Sequence, residues 1–143
     1  MGIQSFVSEL FQKSRPQASY PTLPEVNEET DETNIPGVYA LGELAGTPLV
    51  LLGLNAGHDL VQRIGPELKE SRGSSYDDDV HDVLIVGSGS SGLAASVAAQ
   101  DLGLKYVTIE AAAFANTFVT MTKGKLLLAE PDNVEKRSRV WFE

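Results

Sequence analysis

A chain of 143 residues with 42% apolar content is long enough for one modest domain and too short for two full ones. Twenty acids against eleven bases give a net charge of −9, which repels polyanions and argues against a general nucleic-acid role. The absence of cysteine excludes disulfides, a thiolate nucleophile, a cysteine-held iron–sulfur cluster and a CxxC redox pair within this sequence.

Ile3, Phe6, Val7, Leu10 and Phe11 fall at helical spacing and predict one short amphipathic helix. Met1–Leu10 lacks the basic start and apolar stretch of a secretory signal, so a cytoplasmic location is expected. Pro16, Pro21 and Pro24 break the helical pattern, and the acids from Glu25 to Glu32 read as a solvated linker that completes a flexible segment 1–34. Pro36-Gly37 is a turn, and Val38-Tyr39-Ala40-Leu41 predicts a short strand closed by Gly42-Glu43. Thr47-Pro48 has the form of an N-cap and first helical residue. The apolar positions Leu52, Ala56, Leu60 and Ile64 predict a helix over 48–64, stopped by Gly65-Pro66. The polar stretch 67–81, with Gly73-Ser74-Ser75 and Asp77–Asp79, reads as a linker.

Val83–Val86 then predicts a buried strand, Gly89–Leu102 a helix stopped by Gly103, and Lys105–Glu110 a second strand. Thr117–Thr122 and Lys125–Ala129 are candidate strands, paired through Lys123-Gly124. Trp141-Phe142 suggests a core that the chain does not complete. The expected fold is therefore α/β, a Rossmann-like unit over 82–143, incomplete because a doubly wound sheet needs more strands than these.

The chemistry concentrates in Gly87-Ser88-Gly89-Ser90-Ser91-Gly92. A GxGxxG pattern alone is weak evidence. Here it lies between a strand and a small-residue helix, Gly103 ends that helix, and Glu110 ends the next strand. Gly87 permits the tight turn, Gly89 leaves room for a pyrophosphate, and Gly92 allows close helix–sheet packing. The helix N-terminus supplies free N–H groups and partial positive charge. The hydroxyls of Ser88, Ser90 and Ser91 are expected to assist at the phosphates. No G-x-S-x-G elbow supports a nucleophile. Glu110 would accept from ribose hydroxyls and repel a 2′-phosphate, which disfavours NADP at this turn. The residues alone leave three holders of such a turn open: an FAD site, an NAD site, or another α/β protein such as a methyltransferase.

Asp82–Glu110 resembles the N-terminal fingerprint of the two-dinucleotide-binding-domain flavoproteins, the thioredoxin-reductase-like group. Thr33–Glu43 resembles that group's second FAD motif, a short strand usually ending in Gly-Asp. The resemblance implies an FAD-dependent, pyridine-nucleotide-linked oxidoreductase, with Gly42 and Glu43 serving the flavin side of FAD and NAD(P)H as partner cofactor of a full-length protein. It further implies that the helix after Glu43 points its N-terminus at the cofactor. The order differs from the ordinary family, where the strand–Gly–Asp motif follows the glycine fingerprint at the far C-terminus. This order, and the stretch Phe114–Pro131, resemble a subgroup of oxidoreductases in which a GVYALGEL-type segment comes first. A Gly-Gly pair expected soon after the acid is missing, and Asn116-Thr117 stands near its place.

No residue presents itself as a catalytic acid, base or nucleophile. His58 and His81 lack ligand spacing, and no metal site is expected. Asp77–Asp79 and Lys136-Arg137-Ser138-Arg139 read as solvated charge runs, the latter on a helix face. The sequence thus suggests a partial flavoprotein whose partners are a dinucleotide and the remainder of the enzyme or a second copy, with no nucleic acid and no membrane. The competing class is a non-enzymatic nucleotide-binding or interaction module, with Trp141-Phe142 as interface.

Overall fold

The computed structural model describes residues 23–72, 79–127 and 133–140. The expected Ile3–Phe11 helix, Gly73–Ser75 and Trp141-Phe142 lie outside the described residues. In chain order the elements are a 3₁₀ turn Gly42–Ala45, helix α1 Val50–Ser71, strand β1 Val83–Val86, helix α2 Ser90–Asp101, strand β2 Tyr106–Ile109 and a short helix α3 Asn116–Val119.

β1 and β2 form a parallel pair with Val83 opposite Tyr106 and Val86 opposite Ile109. A parallel pair needs a crossover, and α2 provides it. The crossover helix covers one sheet face, and α1 packs on α2 from the same side. The core joins Val61 of α1, Ile85 of β1, Ala95, Ala98 and Ala99 of α2, and Leu104, with Leu68, Val83, Leu102 and Tyr106 around it. The opposite sheet face is open. Leu84 and Val86 are 60% and 76% exposed, and Val107 and Ile109 are also exposed. The strand Val83–Val86, expected to be buried, is therefore covered on one face only. Among the described residues no element covers the second face.

The α1–α2 contact is close because both helices present small residues. A Cβ on Gly57 would overlap the Ser91 carbonyl oxygen and stand 3.1 Å from the Ala95 nitrogen. Ala94, Ala95, Ala98 and Ala99 are buried. Ser96 ties α2 to the sheet, its hydroxyl 2.8 Å from that of Thr108.

Several expectations are corrected here, in three regions of the chain. First, the helix does not end at Gly65-Pro66 but runs to Ser71. Gly65 is buried because a Cβ there would come within 2.5 Å of Leu102 Cδ1, so it is a packing residue and not a stop. Packing of Leu68 on the core favours continuing past Pro66, which forfeits one backbone hydrogen bond. The added turn lets Arg72 pair with Asp82, whose side chain is 4% exposed. Residues 67–71, expected to open a linker, are therefore helix. At the other end, Thr47 is not the N-cap. Its N–H is tied back to Gly42 (2.8 Å), and Leu49 caps the helix with no side-chain hydrogen bond.

Second, Val38–Leu41 is not a strand. Only isolated antiparallel bridges form, Val26 with Thr33 and Glu32 with Tyr39. The acidic stretch is not simply solvated: Asn27 Oδ1 accepts from the N–H groups of Glu29 (2.9 Å) and Thr30 (3.1 Å), and Arg63 of α1 pairs with Asp31 (3.3 Å). The Thr33 N–H donates to the Val38 carbonyl (2.8 Å), the Ala40 N–H to the Asp31 carbonyl (3.1 Å), and Arg63 donates to the Glu29 and Thr30 carbonyls, so turn bonds and one bridge satisfy this backbone without a longer strand.

Third, Thr117–Thr122 is not a strand. Its first residues form α3, and 120–127 is irregular; Leu128 and Ala129 lie outside the described residues. The basic cluster is not a solvated helix face either. Arg137 pairs with Asp59 of α1, and Arg139 with Asp101 at the end of α2 (Nε to Oδ2, 2.7 Å). Between them Ser138 is buried. Asn55, 2% exposed, donates to the Glu135 carbonyl (2.8 Å) and accepts from the Arg137 N–H (2.9 Å). The segment 135–139 is thus a strap across both helices.

Candidate dinucleotide site

The parallel register sets the site. Because Val86 and Ile109 are partners, the chain leaves both strands at the same sheet edge, with Gly87 beside Glu110. Gly87 has φ +95°, a conformation that side chains resist, and its N–H donates to the Ile109 carbonyl (2.8 Å). Ligands of parallel α/β units bind outside the carboxyl ends of the strands, which is this edge.

Gly89 is the N-cap of α2, with extended φ −70° and ψ −166°. A Cβ built on it meets nothing within 4 Å. Gly92 is the opposite case. Its Cβ would overlap the Gly87 carbonyl oxygen and stand 2.9 Å from the carbonyl carbon. The two glycines differ, one facing open space and the other packed tightly against the Gly87 backbone. The first N–H groups of α2 lack intrahelical acceptors and carry the helix's partial positive charge at the same edge.

Glu110 and Ser88 are joined. The Ser88 N–H donates to Glu110 Oε2 at 2.7 Å, and the Ser88 hydroxyl donates to the same oxygen at 2.8 Å. The Ala112 N–H donates to Oε1 at 3.1 Å. These donors, the two from Ser88 foremost, lower the carboxyl pKa from 4.5 to about 2. The Ser88 hydroxyl also accepts from the Ala115 N–H at 2.8 Å. Ser88 is 1% exposed, so its hydroxyl is held inside the turn.

Ser90 and Ser91 turn toward α1. Their hydroxyl oxygens flank Gly53, and Ser91 Oγ would stand 2.9 Å from a Cβ on Gly42. Among the described residues Ser91 Oγ is a buried polar atom with no hydrogen-bond partner. Gly42, with φ +66°, is therefore brought against the first turn of α2 although 50 residues separate it from Gly92 (92 − 42). Glu43 is exposed in the 3₁₀ turn that Gly42 opens. Gly87, Ser88, Gly89, Ser90, Ser91, Gly92, Glu110 and Gly42 gather at one place, and Glu43 stands at its margin. The internal Ser88–Glu110 bonding and the Ala115 contact were not foreseen. Spacing shows that Glu110 ends a strand beside Gly87, yet not which atoms its carboxylate takes. Among the described residues no group of His, Asp and Glu is arranged to hold a metal ion.

Residues 82–142 match the family model described as FAD binding domain. The match begins at Asp82 and takes in the whole strand–turn–helix–strand unit. It supports FAD as the cofactor and an FAD-dependent, oxidoreductase-type function. The parallel two-stranded sheet with its crossover helix is compatible with an FAD-binding α/β fragment. The residues present fit such a group: the open space at Gly89 and the uncapped N-terminus of α2 suit a pyrophosphate. No curated protein and no solved structure matches the chain significantly. Among the described residues no helix is long and apolar enough to cross a membrane.

Proposed function

We propose that this chain carries the FAD-binding part of a pyridine-nucleotide-linked oxidoreductase of the thioredoxin-reductase-like kind, built on a Rossmann-like unit. The observation that carries the reading is the contrast between Gly89 and Gly92: one Cβ would enter open space before a helix N-terminus, the other would overlap the Gly87 backbone. In this reading Gly87, Gly89 and the N–H groups opening α2 hold the pyrophosphate, and Glu110 lies toward the adenosine ribose. Ser90 and Ser91 join that turn to α1, and Gly42 and Glu43 serve the flavin side. The closeness of Gly42 to Ser91 supports that division, because it brings both glycine segments to one edge. The pyridine-nucleotide link rests on the resemblance of these two segments to that flavoprotein group.

FAD supplies hydride and electron transfer when bound, and the polypeptide supplies position and electrostatics. The Glu110 carboxylate stays ionised at neutral pH. It therefore presents negative charge where a 2′-phosphate would lie, which favours FAD or NAD over NADP at this turn. The test is retention of FAD by the purified chain, followed by bleaching of the flavin absorbance on adding NADH or NADPH anaerobically. Retained flavin that neither nucleotide bleaches would remove the pyridine-nucleotide link and leave the FAD site standing.

A second reading, a nucleotide-binding docking module without catalysis, is favoured by one observation: the apolar sheet face at Leu84, Val86 and Ile109 is exposed. Concentration-dependent association together with failure to retain flavin would favour it.

A further inference from the structure

We propose that Ser88 is a positioning residue, a latch that couples the Glu110 carboxylate to the loop 111–115 and so holds the loop and the glycine turn in one arrangement for the cofactor. The proposal rests on the FAD reading above and adds to it a role for a side chain inside the turn.

Three contacts converge on Ser88. Its N–H and its hydroxyl donate to a single carboxylate oxygen, at 2.7 and 2.8 Å, and the same hydroxyl accepts the Ala115 N–H at 2.8 Å. Ser88 itself is 1% exposed, so its hydroxyl is shielded from water, while the Glu110 carboxylate it meets is exposed. Ala115 needs such a hold. Its φ is +56°, a left-handed conformation that a non-glycine residue adopts only at a cost. It also caps α3, because Phe118 and Val119 donate to its carbonyl (2.9 and 3.1 Å). The loop between Glu110 and α3 borders the strand edge at which the cofactor is placed. Glu110 thus has two duties: one oxygen is taken by Ser88, while Oε1 carries the Ala112 N–H and faces the loop. A carboxylate that only met ribose would have no need of a buried hydroxyl behind it.

The test has an arm without cofactor and an arm with it. In the apo chain, hydrogen exchange at the Ala115 amide should be slow, and Ser88→Ala should speed it at least about tenfold, the worth of one hydrogen bond. The Leu104 amide, bonded to the Ala99 carbonyl in the core, should not change. In the second arm FAD dissociation constants are measured for Ser88→Ala, Glu110→Ala and the double variant. Each single change should weaken binding, Ser88→Ala by about tenfold, and the double variant should be no weaker than Glu110→Ala alone, because the two residues act as one unit. Single losses that multiply would overturn the coupling. An Ala115 amide that exchanges in the wild type as fast as in Ser88→Ala would overturn the latch itself. A wild-type chain that holds no FAD would overturn the functional reading, and the apo amide data would still decide whether the latch exists.

Discussion

Replacing Gly89 or Gly92 by alanine adds the same methyl group three residues apart, with opposite expected results. At Gly92 the methyl overlaps the Gly87 carbonyl oxygen and lies 2.9 Å from its carbon, both backbone atoms that cannot rotate away. α2 must move off β1, an overpacking cost of up to about 3 kcal/mol. Alanine's better helix propensity returns about 1 kcal/mol. The net loss is about 2 kcal/mol, a roughly thirtyfold rise in the unfolded fraction. At Gly89 the methyl meets nothing within 4 Å, and φ −70° is comfortable for alanine. The entropic gain of about 0.5 kcal/mol from replacing glycine is offset by alanine's weakness as an N-cap. Its stability should stay within about 0.5 kcal/mol of wild type, while FAD affinity falls at least about tenfold because the methyl stands where the phosphates approach. Urea unfolding reads the first quantity and flavin titration the second. A Gly89→Ala chain that unfolds as early as Gly92→Ala, or that binds FAD as well as wild type, would refute the reasoning.

Asn55→Ala removes the partner of the Glu135 carbonyl and the Arg137 N–H from two half-buried bonds, and should cost about 1 kcal/mol in urea unfolding; an unchanged midpoint would show that the strap adds nothing. Asp82→Ala removes the acceptor of Arg72 and of the Lys105 N–H (2.7 Å), a loss of about 3 kcal/mol by the same assay. The carboxyl of Glu110 should titrate near pH 2 in carbon NMR, and Ser88→Ala should move the midpoint upward toward 4.5. Because the folded pKa is depressed, this carboxylate's contribution is complete above pH 4.5 and fades as the pH falls toward 2. Glu110→Gln should flatten that part of the acid-unfolding curve, and a titration midpoint near 4.5 in the wild type would contradict the bonding described.

The β1–α2–β2 unit was legible because its signals are local. Val83–Val86 and Tyr106–Ile109 are runs of strand-forming residues, and Gly103, at φ +67°, ends the helix as a glycine there should. The glycine turn was legible for the same reason, since each glycine answers to its immediate neighbours in the chain. The failures at Gly65-Pro66 and Lys136–Arg139 depend on distant partners. Gly65-Pro66 has the form of a helix stop until Leu102 is seen to occupy the space beside Gly65. Lys136–Arg139 has the form of a solvated run until Asp59 and Asp101 come opposite its arginines. Val38–Leu41 has strand-forming residues, but its neighbour Asp31–Thr33 pairs with it through one bridge, Tyr39 with Glu32, which is too short a ladder for a strand. At the site, spacing pointed to the glycines of the turn and to Glu110, and the resemblance to Gly42 and Glu43, while the direction of the Ser88 hydroxyl depends on Ala115, 27 residues away, in an irregular loop.

The most direct test of the central claim is the visible absorption spectrum of the purified chain, recorded after adding FAD and removing the excess. Flavin bands that remain with the wild type and are lost with Gly89→Ala are the predicted result. A colourless wild-type chain after the same treatment would contradict the assignment of this turn as an FAD site.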